Sequence, residues 1–148
     1  MSRQIAVLLL LIVSCGFARS SPAEPTRPIP SWAANFLRSW YASFNQGDAA
    51  GVASLFSEGA RLGDLQGRTA ILKSLEAQFE KTRYQCTGAY DGLKTLGNLT
   101  VAWGHESCLS TSRVDERKDQ WNERWLLVFE KTTPDQWLLT RETYERLK

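Results

Sequence analysis

The chain has 148 residues, of which 43% are hydrophobic and 23% charged, with a formal net charge of +2. Arg3 and Arg19 fall in an N-terminal segment without acids, so once that segment is set aside the 18 basic side chains drop level with the 16 acidic ones. A near-neutral remainder lacks the basic field that non-specific nucleic-acid binding requires, which excludes nucleic acid as an expected partner. About 125 residues are enough for one domain with one core, and not for two.

Ile5 to Val13 is an unbroken apolar run preceded by Arg3 and followed by small residues, the pattern of a secretory signal. It is far shorter than the roughly 20 apolar residues a membrane-spanning helix needs. Two processing routes fit. Ordinary cleavage after Ser20 or Ala23 makes residues 1–23 a signal sequence. Alternatively, Ile12 to Cys15 resembles a bacterial lipobox, which makes 1–14 a lipoprotein signal and Cys15 a lipidation site. Either way the expectation is export to the periplasm or beyond, with membrane contact only through the signal or a lipid. Residues 24–30 form a proline-rich linker, and the domain occupies 31–148.

From Ser31, Trp32, Phe36, Trp40 and Phe44 recur every four residues and predict a core-facing helix capped by Ser31 and stopped by Gly47. Asp48 caps a short second helix through Val52, Leu55 and Phe56. Gly59 to Leu62 reads as a strand, Gly63 to Gly67 as a loop, and a third helix runs from Thr69 with Ile71, Leu72, Leu75 and Phe79 on one side. Strands follow near 84–96, 99–111, 119–131 and 136–146, with turns at Gly97-Asn98 and Thr133-Pro134-Asp135. Helices first and antiparallel strands afterwards make the fold class α+β.

Cys86 and Cys108 are an even pair in an oxidising compartment, and a disulfide between them is expected. A two-residue turn at Gly97-Asn98 sets Cys86 opposite Leu109 and puts the sulfurs on opposite faces. A three-residue turn, or a bulge near Asp91-Gly92, makes the two cysteines direct neighbours instead.

The stretch from Phe36 to Leu62, a bulky-faced helix ending in Asn45-Gln46-Gly47-Asp48 and a short helix closing on Leu55-Phe56, resembles the opening of nuclear-transport-factor-2-like proteins. Gly67-Arg68-Thr69-Ala70-Ile71 is similar to the start of that superfamily's third helix, and Asp135-Gln136-Trp137 to the turn before its last strand. The resemblance covers residues 32–146 and extends to SnoaL-like cyclases and ketosteroid isomerases. It implies a cone: three N-terminal helices packed on a strongly curved antiparallel sheet around a pocket. It also implies dimerisation through the outer sheet face, giving a homodimer as the expected assembly.

That resemblance places Asp64 where the isomerases carry their proton-abstracting aspartate, making it the first candidate base; the plainer reading is a turn former in a Gly-Asp loop. The isomerases' oxyanion-holding tyrosine aligns with Trp40 and their neutral aspartic acid falls near Leu126, so steroid isomerisation by that mechanism is not expected. Tyr41, one residue on, points about 100° away round the helix. His105 is a weaker catalytic candidate, on a strand face with Leu99, Val101 and Trp103. Glu123 alternates with Trp121, Trp125, Leu127 and Phe129, so it sits on an apolar face and needs a partner, which Arg141 or Glu142 of the last strand could supply. Tyr41, Trp103, Glu123 and Glu142 are thus expected to line the pocket. One histidine and two paired cysteines make no zinc site, and neither metal nor cofactor is expected. The partner these residues suggest is a small hydrophobic or aromatic molecule, handled by a cofactor-free isomerase, cyclase or hydratase. The alternative is a noncatalytic dimeric module that binds a ligand or another protein in the cell envelope.

Overall fold

A computed structural model describes residues 28–147; the leader, Cys15 and the first part of the linker lie outside them. Helix α1 spans Ser31–Gln46 and ends on Gly47, whose φ of 71° is the left-handed conformation a helix stop requires. Its cap differs from expectation: the helix starts one residue early, with Ser31 inside it and Pro30 at the cap. The Pro30 carbonyl accepts from the N–H groups of Ala33 and Ala34, while proline itself brings no N–H to satisfy. Asp48 caps α2 (Ala49–Ser54) as expected, its carboxylate accepting from the Gly51 N–H at 2.9 Å. Leu55 and Phe56 are not in that helix; Leu55 closes it and Phe56 opens strand β1 (Phe56–Leu62).

Gly63 and Asp64 then turn the chain back into a two-residue strand, β2 (Leu65–Gln66), before α3 (Arg68–Lys81). Four long strands follow: β3 (Thr82–Leu96), β4 (Leu99–Ser112), β5 (Lys118–Thr133) and β6 (Gln136–Arg146). The single sheet has the order β2-β1-β6-β5-β4-β3, antiparallel throughout except that β1 runs parallel to β6. With β1–β6 and β5–β6 also irregular in register, the long strands curve around the helices. The fold is α+β, three helices on a curved sheet.

The core is an aromatic ladder running along α1. Trp32 stacks on Trp137 at 4.6 Å, Phe36 meets Phe129 edge-on at 4.7 Å, Trp40 packs on Phe56, and Phe44 lies between Phe79 and Tyr84. Such pairs add about 0.5–1.5 kcal/mol each beyond the area they bury. Phe56, Phe129, Ile71 and Leu139 are fully buried around them.

Register decides what faces inward. The turn at Gly97-Asn98 has two residues and pairs Leu96 with Leu99, but a bulge between Tyr90 and Gly92 shifts the ladder so that Cys86 opposes Cys108. The two are disulfide-bonded, by the bulge rather than by a longer turn. On β4 the small residues Thr100, Ala102 and Gly104 face the helices, and the larger Leu99, Val101 and Trp103 face outward. Trp103 is therefore not a pocket residue. It is 43% exposed on the outer face, its indole lying over Gly92, where a side chain would collide with the ring.

Candidate functional site

Below the aromatic ladder, three neighbouring strands each send a glutamate inward. Glu106 on β4 lies directly opposite Glu123 on β5, and Glu142 on β6 lies opposite Leu127. From α1, the Tyr41 hydroxyl donates to Glu106 Oε2 at 2.8 Å. Room for that hydroxyl comes from Gly88 on β3, and room for the Trp125 ring comes from Gly104, since a side chain at either glycine would overlap the aromatic group. These glycines belong to the site for a steric reason.

The groups enclose a cavity of about 10 Å³, lined by Phe36, Leu37, Trp40, Tyr41, Glu106, Trp125, Leu127 and Glu142. A space of that size takes one water-sized group. Its Glu142 Oε2 is buried and has no hydrogen-bond partner among the described residues. Burial pushes the Glu142 carboxyl up to about 8, and the nearby charges of Glu106 and Glu123 push in the same direction. Burial also raises Glu106 well above the carboxylate range, helped by Glu123 within hydrogen-bonding reach, while the Tyr41 hydroxyl opposes the shift. Tyr41 is raised as well, first by burial and then by Glu106.

Among the described residues no basic side chain neutralises this trio. Arg146 is the cross-strand partner of Glu123, but its guanidinium lies over the Trp121 ring at 4.3 Å and reaches Asp119 at 3.2 Å. Glu123 instead accepts from the Trp121 indole N–H at 2.9 Å. Arg141 pairs with Val128 on the outer face, which corrects the expectation of Arg141 as a partner for Glu123. The Cys108 sulfur of the disulfide sits 3.6 Å from Glu106 Oε1, so the bridge forms one side of the carboxyl cluster. Among the described residues no three His, Cys, Asp or Glu side chains are placed to hold a metal ion.

No protein-family model matches the sequence, and no curated protein does. Solved structures do match. A ketosteroid isomerase-like protein from Erwinia carotovora atroseptica superposes with a TM-score of 0.68 at 12% identity, over 78% of this chain and 93% of that one. A nuclear transport factor 2 superfamily protein from Salmonella enterica serovar Typhimurium gives 0.66 at 17% identity, over 77% and 87%. The chain has the nuclear-transport-factor-2-like fold. ActVI-ORFA from Streptomyces coelicolor shares it, with a TM-score of 0.64 at 15% identity over 78% and 94%.

Within this nuclear-transport-factor-2-like cone, the expected site residues separate. Tyr41 and Glu142 line the cavity, and Glu123 backs it. Asp64 does not: it is exposed on the tight turn between β1 and β2, in the turn-forming role, and touches neither cavity. His105 is also outside, exposed on the outer face, where its Nδ1 meets the Asp91 carboxylate at 2.8 Å. Asp91 is the residue left unpaired by the bulge, so one irregularity sets the disulfide register and supplies the histidine's partner.

Glu106 is the residue sequence reasoning missed. It shares a face with Gly104, Ala102 and Cys108, and small residues on alternate positions of a strand were the available sign that this face lies against bulky partners. A larger hollow lies elsewhere, an open groove of about 550 Å³ beside the end of α1. Its Arg83 is tied to Glu116 at 2.8 Å and its Arg113 to the Phe79 carbonyl at 3.0 Å, so those charges are already engaged.

Proposed function

We propose that this chain is an exported small-molecule pocket protein of the SnoaL-like type. In this reading the carboxyl pit anchors the polar end of a small ligand and exchanges a proton with it, without a cofactor. One observation carries it: Glu142 lines the cavity beside the Tyr41–Glu106 pair with its Oε2 buried and without a hydrogen-bond partner among the described residues. With a pKa of about 8, Glu142 is mostly protonated at pH 7 and close to the value at which a group gives up a proton efficiently and takes it back. Glu106, fixed by Tyr41, is raised by the same burial, so the two carboxyls hold and exchange protons as a pair. That pairing suits isomerisation, cyclisation or hydration, in which a proton leaves one atom and arrives at another. Export rests on the leader pattern and on the disulfide, which persists in oxidising compartments.

A thermal-shift screen of small neutral and charged molecules against the wild type and Glu142→Gln tests the reading. Hits should bind the variant at least about tenfold more weakly, the loss expected when a charge-assisted hydrogen bond is removed. Hits that stabilise both proteins equally would remove the pit from the site.

The outer sheet face favours a second reading, a dimer. Leu99, Trp103 and Leu126 are each more than 40% exposed there, and Trp103 and Leu126 are cross-strand neighbours. Sedimentation should give a dimer for the wild type and a monomer for Trp103→Glu; a monomeric wild type would end this reading.

A further inference from the structure

The reading of the pit as a ligand anchor leaves open which chemical group it holds, and its geometry bears on that. Glu106, Glu123 and Glu142 converge from β4, β5 and β6, and the other titratable group facing them is Tyr41 of α1, which donates to Glu106. From β3, the Tyr90 hydroxyl is committed to the Ala33 carbonyl at 3.1 Å. Arg146, the one base on their face of β6, is turned to Asp119 and Trp121. The cluster therefore carries mutual repulsion that protons alone relieve, and a fully buried oxygen, Glu142 Oε2, awaits a donor.

We propose that the pit receives a primary ammonium group, whose apolar stem leaves through the open side of the cavity. Three features select it. A cavity of about 10 Å³ matches a water-sized head, which an –NH3⁺ group is and a quaternary ammonium is not. Such a head has three donors, and the cavity offers it the carboxyls of Glu106 and Glu142, with Glu123 behind them. The Trp40 and Trp125 rings in the lining attract a cation and give a neutral hydroxyl no comparable advantage. Docking is balanced by proton loss: the Glu142 carboxylic acid gives its proton to solvent, and the resulting carboxylate pairs with the ammonium, which keeps all of its own.

The test uses n-butylammonium, its neutral isostere n-butanol and the bulky cation tetramethylammonium, each titrated calorimetrically into the wild-type protein at pH 7. Butylammonium should bind at least about tenfold more tightly than either of the others. Its apparent heat should differ between phosphate and Tris buffers by the amount for about one released proton. Glu142→Gln, which mimics the protonated acid in shape, should reduce butylammonium affinity at least about tenfold; Glu106→Gln serves the same purpose if the first variant does not fold. Equal or tighter binding of butanol, or buffer-independent heat, overturns the ammonium assignment. If neutral molecules from the broader screen bind through Glu142 while butylammonium does not, only this assignment falls. If no probe binds the wild type, the assignment falls together with the ligand-anchor reading.

Discussion

Glu106, Glu123 and Glu142 stand on adjacent strands, and among the described residues a tyrosine hydroxyl and an indole N–H are the donors that reach them. Three ionised carboxylates so placed would be costly, so the cluster stays partly protonated at neutral pH. Tyr41 is the residue that organises it, and Gly88 is what lets Tyr41 reach Glu106. Gly88→Ala should therefore displace the hydroxyl and destabilise the domain by about 1–3 kcal/mol, through overpacking and a lost buried hydrogen bond. Urea unfolding of Gly88→Ala, Tyr41→Phe and the double variant checks the cause. The second substitution should cost much less in the presence of the first, because both break the same contact; strictly additive losses would show that Gly88 acts elsewhere.

At the scale of elements, periodicity carried most of the fold. The four-residue aromatic repeat of α1 and the glycine and aspartate between α1 and α2 fall where the structure has them, and the long strands begin and end within two residues of expectation. What pattern could not supply was the direction of each strand face. On β4 the larger side chains, Leu99, Val101 and Trp103, pointed to the wrong side, because the interior is already filled by aromatic rings from α1 and β5 and leaves space only for Thr100, Ala102 and Gly104. Trp103 and His105 were misplaced together for that reason. On β5 the same argument succeeded, since Trp125, Leu127 and Phe129 supply the filling, and it carried Glu123 to the correct face. The bulge at Asp91 could be named as an alternative but not chosen, since nothing local distinguishes it from a longer turn; the disulfide depends on it. Asp64 rests on resemblance to the isomerases alone, and the short β2 hairpin, which holds it at the surface, has no periodic signature.

For the molecule as described, the cone is well filled along α1 and leaves a small cavity at the carboxyls, with Trp32, Phe36 and Trp40 among the packed side chains. A large flat ligand has no volume to enter without moving these rings, whereas a slender one presents a single polar atom to Glu142. The sheet's outer face carries an apolar patch of Leu99, Trp103 and Leu126 among polar and charged neighbours such as His105 and Arg141. What is proposed for the interior rests on Glu142 Oε2, buried without a partner beside Tyr41 and Glu106, and the physical state this environment predicts is a carboxyl that keeps its proton through neutral pH. Carboxyl-carbon NMR of glutamate-labelled protein, assigned with Glu142→Gln and followed from pH 4 to pH 10, observes that state directly. The predicted result is a Glu142 resonance that titrates with a midpoint of about 8. A midpoint near the ordinary glutamate value of 4.5 would contradict it.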